Sequence, residues 1–176
     1  MTEIFNKTNK LYGKNESIIV TKGENHILLL NKNNKREIKI CKEEYKASNG
    51  SDEFIDYTIY FSYNHWHLNN INELLDLVQK IINDEELSVQ FFKDDRESVG
   101  SGISIENYNK LSLNFLSEYY GYSKEHLLEY DIEITSWSGT YDISRIPTKE
   151  LGKWHYITLS LWQGLSTLKT GRKEEI

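Results

Sequence analysis

The chain has 176 residues, 38% of them hydrophobic, a single cysteine and a formal net charge of −6. That length suits one domain over residues 1–176 with a core of its own, and a lone cysteine excludes an intramolecular disulfide. No stretch approaches the roughly 20 apolar residues of a membrane span, and the opening MTEIFNKTNKLYG lacks the apolar run of a secretory signal, so the expectation is a soluble, cytoplasmic protein.

In chain order, SIIVT (17–21), HILLLN (26–31) and REIKICK (36–42) read as strands, with the polar turn KNNK between the second and third. Residues 43–53 read as a loop. FIDYTIYFSYNHWH (54–67) is the longest strand candidate, closing a strand region over 17–67. Alternation puts Ile55, Tyr57, Ile59, Phe61, Tyr63, His65 and His67 on an apolar face, and Tyr60 and Trp66 on the opposite one. Over 71–83, Ile71, Leu74, Leu75, Val78, Ile81 and Ile82 repeat at helical spacing behind an Asn70 cap with Glu73 three residues on. LSVQFF (87–92) is a strand, and KDDRESVGSG (93–102) a polar loop. A second helix is expected from Ser104 to Tyr120, stopped by Gly121, followed by a short helix capped by Ser123. DIEITSW (131–137) returns to strand, 138–153 reads as irregular, WHYITLSLW (154–162) as a last strand, and 168–176 as a frayed tail. The fold class expected is α+β: a mostly antiparallel, curved sheet of about six or seven strands with two main helices packed on one face.

Charge is unevenly distributed. Residues 1–46 carry 10 Lys/Arg against 6 Asp/Glu, residues 47–135 carry 5 against 17, and residues 136–176 carry 6 against 4. An acidic centre has the wrong sign for direct nucleic-acid binding, which needs cations to displace counterions from phosphates. It has the right sign for attracting a basic protein. Abundant Asn, Lys, Ile and Tyr, with Ala47 as the one alanine and Pro147 as the one proline, match AT-rich codons and so a bacterial or phage origin.

Among residues that could carry chemistry, His65 and His67 stand at i and i+2, so both rings could reach one metal, zinc being the natural candidate. Cys41, His26, His126 and His155 are the other available ligands. None falls in a metal-site spacing, and two histidines packed on an apolar face are the ordinary alternative. SVGSGIS (98–104) ahead of a helix suggests an anion cradle, but it lacks GK[ST], and Asp94, Asp95 and Glu97 would repel phosphate. The paired carboxylates of KDDRE and NDEEL could serve acid–base work or hold a cation, and could equally be solvated surface charge. Cys41 beside Lys42 has no base next to it in sequence, and Ser138-Gly139 is no nucleophile elbow.

With 12 Tyr, 4 Trp and 6 Phe, the aromatics give the most definite functional expectation. It is a docking surface on which Tyr60, Trp66, Trp137, Trp154, Tyr156 and Trp162 gather beside Asp94, Asp95 and Glu97, since Tyr and Trp dominate interface hot spots. The function expected is a small acidic binding protein that neutralises or sequesters a basic partner, as inhibitors and immunity proteins do. The alternatives are a metal-binding protein or enzyme built on His65 and His67, and a small-ligand binder using an aromatic sheet face.

Overall fold

The computed structural model describes residues 1–46 and 53–151. Within them the chain is α+β, with five helices and nine strands in two separate antiparallel sheets. The first sheet is a meander in the order β1 (Ile18–Lys22), β2 (His26–Asn31), β3 (Glu37–Lys46), β4 (Glu53–Phe61), β5 (Asn64–Leu68). Helix α1 (Thr2–Tyr12) precedes it and α2 (Ile71–Ile82) follows it. The second sheet has the order β7 (Arg96–Ser104), β6 (Glu86–Lys93), β8 (Asp131–Thr135), β9 (Ile143–Pro147). Helices α3 (Ile105–Tyr108), α4 (Leu113–Tyr120) and α5 (Lys124–Leu127) lie between β7 and β8 in sequence. A single 3₁₀ turn at Thr148–Glu150 follows β9.

The single sheet of six or seven strands is therefore replaced by two sheets, each with its own apolar cluster. The first joins Ile4 and Tyr12 of α1 and Leu74, Val78 and Ile81 of α2 to Ile27, Leu29, Ile38, Ile40, Tyr57, Ile59 and Phe61. These sheet residues alternate along their strands, so both helices cover one face of the first sheet. Each aliphatic side chain buried there contributes about 1.5–3 kcal/mol against exposure. The second cluster joins Leu87, Val89, Phe91, Ile132 and Ile134 to Tyr108, Leu111, Leu116 and Leu127 of the helical segment.

Helix α2 forms as its spacing requires. Asn70 Oδ1 accepts the Asn72 amide at 2.8 Å, and Leu74, Val78 and Ile81 are buried. Five other expectations are corrected. The strand expected over 54–67 is a hairpin whose two-residue loop, Ser62-Tyr63, places Ser62 at φ 55°, the positive first position of a type II′ turn. The helix expected over 104–120 breaks at Asn109–Lys110. A new helix starts where Ser112 Oγ accepts the Phe115 amide at 3.1 Å, and Gly121 ends it at φ 73°. The polar loop expected over 93–102 is a hairpin. Asp94 and Asp95, at φ 51° and 61°, make a two-residue turn of type I′ geometry, and Arg96–Ser104 pairs with β6. Residues 143–147, expected to be irregular, form β9. The loop expected over 43–53 is shortened at both ends, since β3 runs to Lys46 and β4 starts at Glu53. Helix α1, for which the sequence raised no expectation, adds Ile4 and Tyr12 to the first cluster. The strand expected over 154–162 and the tail over 168–176 lie outside the described residues. No helix among the described residues is long and apolar enough to cross a membrane.

The sheets meet through polar side chains. Asn64 of β5 is buried, and its amide donates to Ser88 Oγ at 2.8 Å, to the Val89 carbonyl at 3.2 Å and to the Ser101 carbonyl. Gly100 and Gly102 of β7 make room for this approach. A Cβ on Gly100 would overlap Asn64 Oδ1 and Gln90 Oε1, and one on Gly102 would overlap Glu86 Oε1. The SVGSG run is thus a strand thinned for close packing. At the other end, Arg36 reaches the Ser136 carbonyl and the Asp142 carboxylate, while Asn31 and Asn34 both donate to the Trp137 carbonyl. Asp142 Oδ1 also accepts from the Ser136 amide at 2.9 Å and Ser136 Oγ at 3.0 Å, which fixes the loop containing Ser138-Gly139 as a structural tie.

Candidate functional site

The Ser62-Tyr63 turn decides where the histidines go. β5 runs back along β4 with Ile59 opposite Trp66, Tyr60 opposite His65 and Thr58 opposite His67. Trp66 therefore turns to the covered face, packed against the first cluster, and the two histidines share the outer face with Tyr60. The apolar-face placement expected for His65 and His67 is reversed, and so is the pairing of Tyr60 with Trp66. The histidine rings meet edge to face with centroids 5.1 Å apart. His67 Nδ1 lies 3.1 Å from Asp56 Oδ2 and 3.3 Å from Thr58 Oγ1. Among the described residues no group of three or more His, Cys, Asp and Glu is placed to hold a metal ion.

Cys41 stands on the same outer face, opposite His26 on one side and Thr58 on the other. The His26 ring lies against Gly23, and burial pushes the Cys41 thiol up, with Lys39 opposing and Glu43 adding to the rise. A raised thiol pKa keeps Cys41 protonated, which is unfavourable for a nucleophile.

No described helix covers this outer face. At its lower end it opens into a trough of about 750 Å³ lined by Lys35, Arg36, Glu37, Lys39, Cys41, Tyr60, Phe61, Ser62 and Tyr63, with Glu133 and Thr135 contributed by β8. Tyr60 is 39% exposed and Tyr63 45% exposed. Burial raises the Tyr60 phenol, with Glu43 and Cys41 adding to the rise. Arg36 is held by Asp142, so it acts as part of the wall. Beside the trough, the Tyr63 ring meets Phe92 edge-on at 5.5 Å, and the Arg145 guanidinium carbon lies 3.4 Å from the Phe92 ring centroid. Arg145 in turn lies 3.3 Å from Asp95 and 4.0 Å from Glu133.

The expected docking surface is thus divided. Tyr60 lines the trough, and Asp95 borders it through Arg145 and Phe92. Asp94 shares the exposed turn with Asp95. Trp137 is only 4% exposed and packs against Phe61 at 6.2 Å, completing the first cluster. Glu97 falls on β7 with its side chain outside the described part, and Trp154, Tyr156 and Trp162 lie outside it altogether. Tyr63 and Glu133 were missed by the sequence reading. A turn tyrosine and a mid-strand glutamate carry no local signal, and only the meeting of β4, β5 and β8 brings them together.

The carboxylates of NDEEL are also individually engaged. Asp84 accepts the Ser138 amide at 2.9 Å, Glu85 accepts from Asn83 at 3.0 Å, and Glu86 is folded over Gly102 beside the Trp66 indole. Burial pushes the Glu86 carboxyl up, and Lys80 partly offsets it.

Comparison with family models, with curated proteins and with solved structures returned no match for this chain.

Proposed function

We propose that the protein is a binding protein that neutralises or sequesters a basic protein partner by docking it on the outer face of the first sheet, over the trough. The observation that carries the reading is the composition of that face. Glu37, Glu43, Asp56 and Glu133 stand there against Lys35, Lys39 and Arg36, the last paired with Asp142, with Arg145 4.0 Å from Glu133 and with Tyr60 and Tyr63 exposed between them. An acidic surround steers a cationic partner and sets register, while two tyrosines supply contact area at low rotamer cost. The trough is open and mixed in polarity, which suits side chains projecting from a protein surface better than an enclosed small molecule.

The test is affinity capture with the purified protein and with a Tyr60→Ala/Tyr63→Ala variant, at low and raised salt. The reading expects the wild type to retain a basic protein, and the variant to lose it with its own fold intact by circular dichroism. Raised salt should slow association. Recovery of no basic protein, or capture indifferent to both tyrosines, overturns it.

A further inference from the structure

The Ser62-Tyr63 turn leaves two histidines exposed on the same outer face as Tyr60, and the three rings form a continuous file. Tyr60 and His65 have ring centroids 6.0 Å apart, His65 and His67 5.1 Å apart, and His67 Nδ1 reaches Asp56 Oδ2 at 3.1 Å. Histidine is the side chain whose charge ordinarily changes between about pH 5 and 8.

The groups around the pair come from every neighbouring element. β4 supplies Asp56, Thr58 and Tyr60. Behind them, β3 sets Glu43, Cys41 and Lys39 opposite those three residues in turn, and β2 sets His26 opposite Cys41. Helix α2 packs on the covered face. β6 and β7 meet β5 at buried Asn64 and at Trp66, where Glu86 is the charged group. With the partners of its two arginines counted, the outer face holds six carboxylates among the described residues, the four named above with Asp95 and Asp142. Lys35, Arg36, Lys39 and Arg145 stand against them. The acidic excess is two charges, and two imidazoles gaining a proton cancel it.

We propose, resting on the docking reading above, that His65 and His67 make that docking pH-dependent: the basic partner is held near neutrality and released as both rings take up protons. Each imidazolium repels a cation approaching this face, and His65 does so beside Tyr60, a ring the partner covers. Protonated His67 also pairs with Asp56 from within the chain, so the partner loses that anion too. Proton uptake and partner binding are linked, and each opposes the other by the same factor.

Hexalysine is the probe, followed at low salt by the ring ¹H–¹³C signals of Tyr60 and Tyr63. Its affinity is expected to fall about tenfold from about pH 7.5 to about pH 5.5, a few-fold for each imidazolium facing a cation at surface dielectric. In His65→Gln/His67→Gln, two exposed positions that keep a polar side chain, the ratio of the two affinities is expected to shrink to about twofold, with the fold intact by circular dichroism. His26→Gln, three strands away, is expected to keep the tenfold ratio. Equal wild-type affinity at the two pH values, a ratio undiminished in the double variant, or a ratio abolished by His26→Gln alone overturns the histidine pair and leaves the docking reading standing. Hexalysine that moves neither tyrosine at either pH overturns both.

Discussion

The first sheet has one face covered by α1 and α2 and the other free of any described helix, whereas β6 of the second sheet is buried from Leu87 to Phe92 on both sides. The two regions treat polar residues in opposite ways. On the first sheet's outer face, Lys39, Tyr60, His65 and His67 are exposed. On β6, Ser88 and Gln90 are as buried as Val89 and Phe91, because β5 and the glycine-thinned β7 close over them. One sheet has a core face and a recognition face. The other is a central layer, in which Ser88 accepts from Asn64 of the first sheet while the Gln90 amide donates to the Phe91 carbonyl of its own strand.

Adjacent positions on β4 give the largest contrast. Ile59→Ala removes a fully buried side chain from the first cluster and is expected to cost roughly 2–5 kcal/mol in urea unfolding. Tyr60→Ala next to it should cost far less stability and act on partner binding instead. Comparable losses at the two positions would mean that the outer face is covered.

Next in size is Asn64→Ala. It leaves Ser88 Oγ and the Val89 and Ser101 carbonyls without that donor in a buried junction, for an expected loss of about 2–3 kcal/mol. A loss confined to one sheet's exchange-protected amides, with the other unchanged, would show that the junction does not couple them.

Glu86→Gln is smaller and opposite in sign. Burial raises the native carboxyl above its unfolded value, so the native state binds the extra proton and wild-type stability grows as pH falls through that raised pKa, levelling off below the unfolded one. The glutamine variant should be the more stable near neutrality and should lose this part of the pH dependence. A variant less stable at neutral pH would show that the charge is used, with Lys80 as the partner. Smallest is Lys93→Ala, whose exposed pair with Glu129 should leave the melting temperature unchanged within error. A measurable drop would make that ion pair a structural element.

Local signals were legible where burial follows one period. The α2 stripe with its Asn70 cap, and the β1–β3 meander, could be read directly. What could not be read depends on encounters distant in sequence. Ser62-Tyr63 has no glycine or asparagine to announce a turn, yet it determines which way His65, Trp66 and His67 face. SVGSG looks like a loop until Asn64 and Glu86 are set against it. Trp137, read from sequence as part of a docking surface, is drawn into a cluster built almost entirely from residues before 83. Of the candidate site, Tyr60, Asp94 and Asp95 were identified from sequence, while Tyr63 and Glu133 required the assembled fold.

That late tryptophan bears on how the chain matures during synthesis. Every pairing in the first sheet joins neighbours in sequence, so the meander can close while ribosomal elongation is still under way. Its apolar interior, however, waits for an indole encoded beyond the last of its strands and both of its helices. A nascent chain stalled before residue 137 should therefore have ordered hairpins around a loose centre that binds a hydrophobic dye. Release of that dye would mark the moment when the two sheets lock.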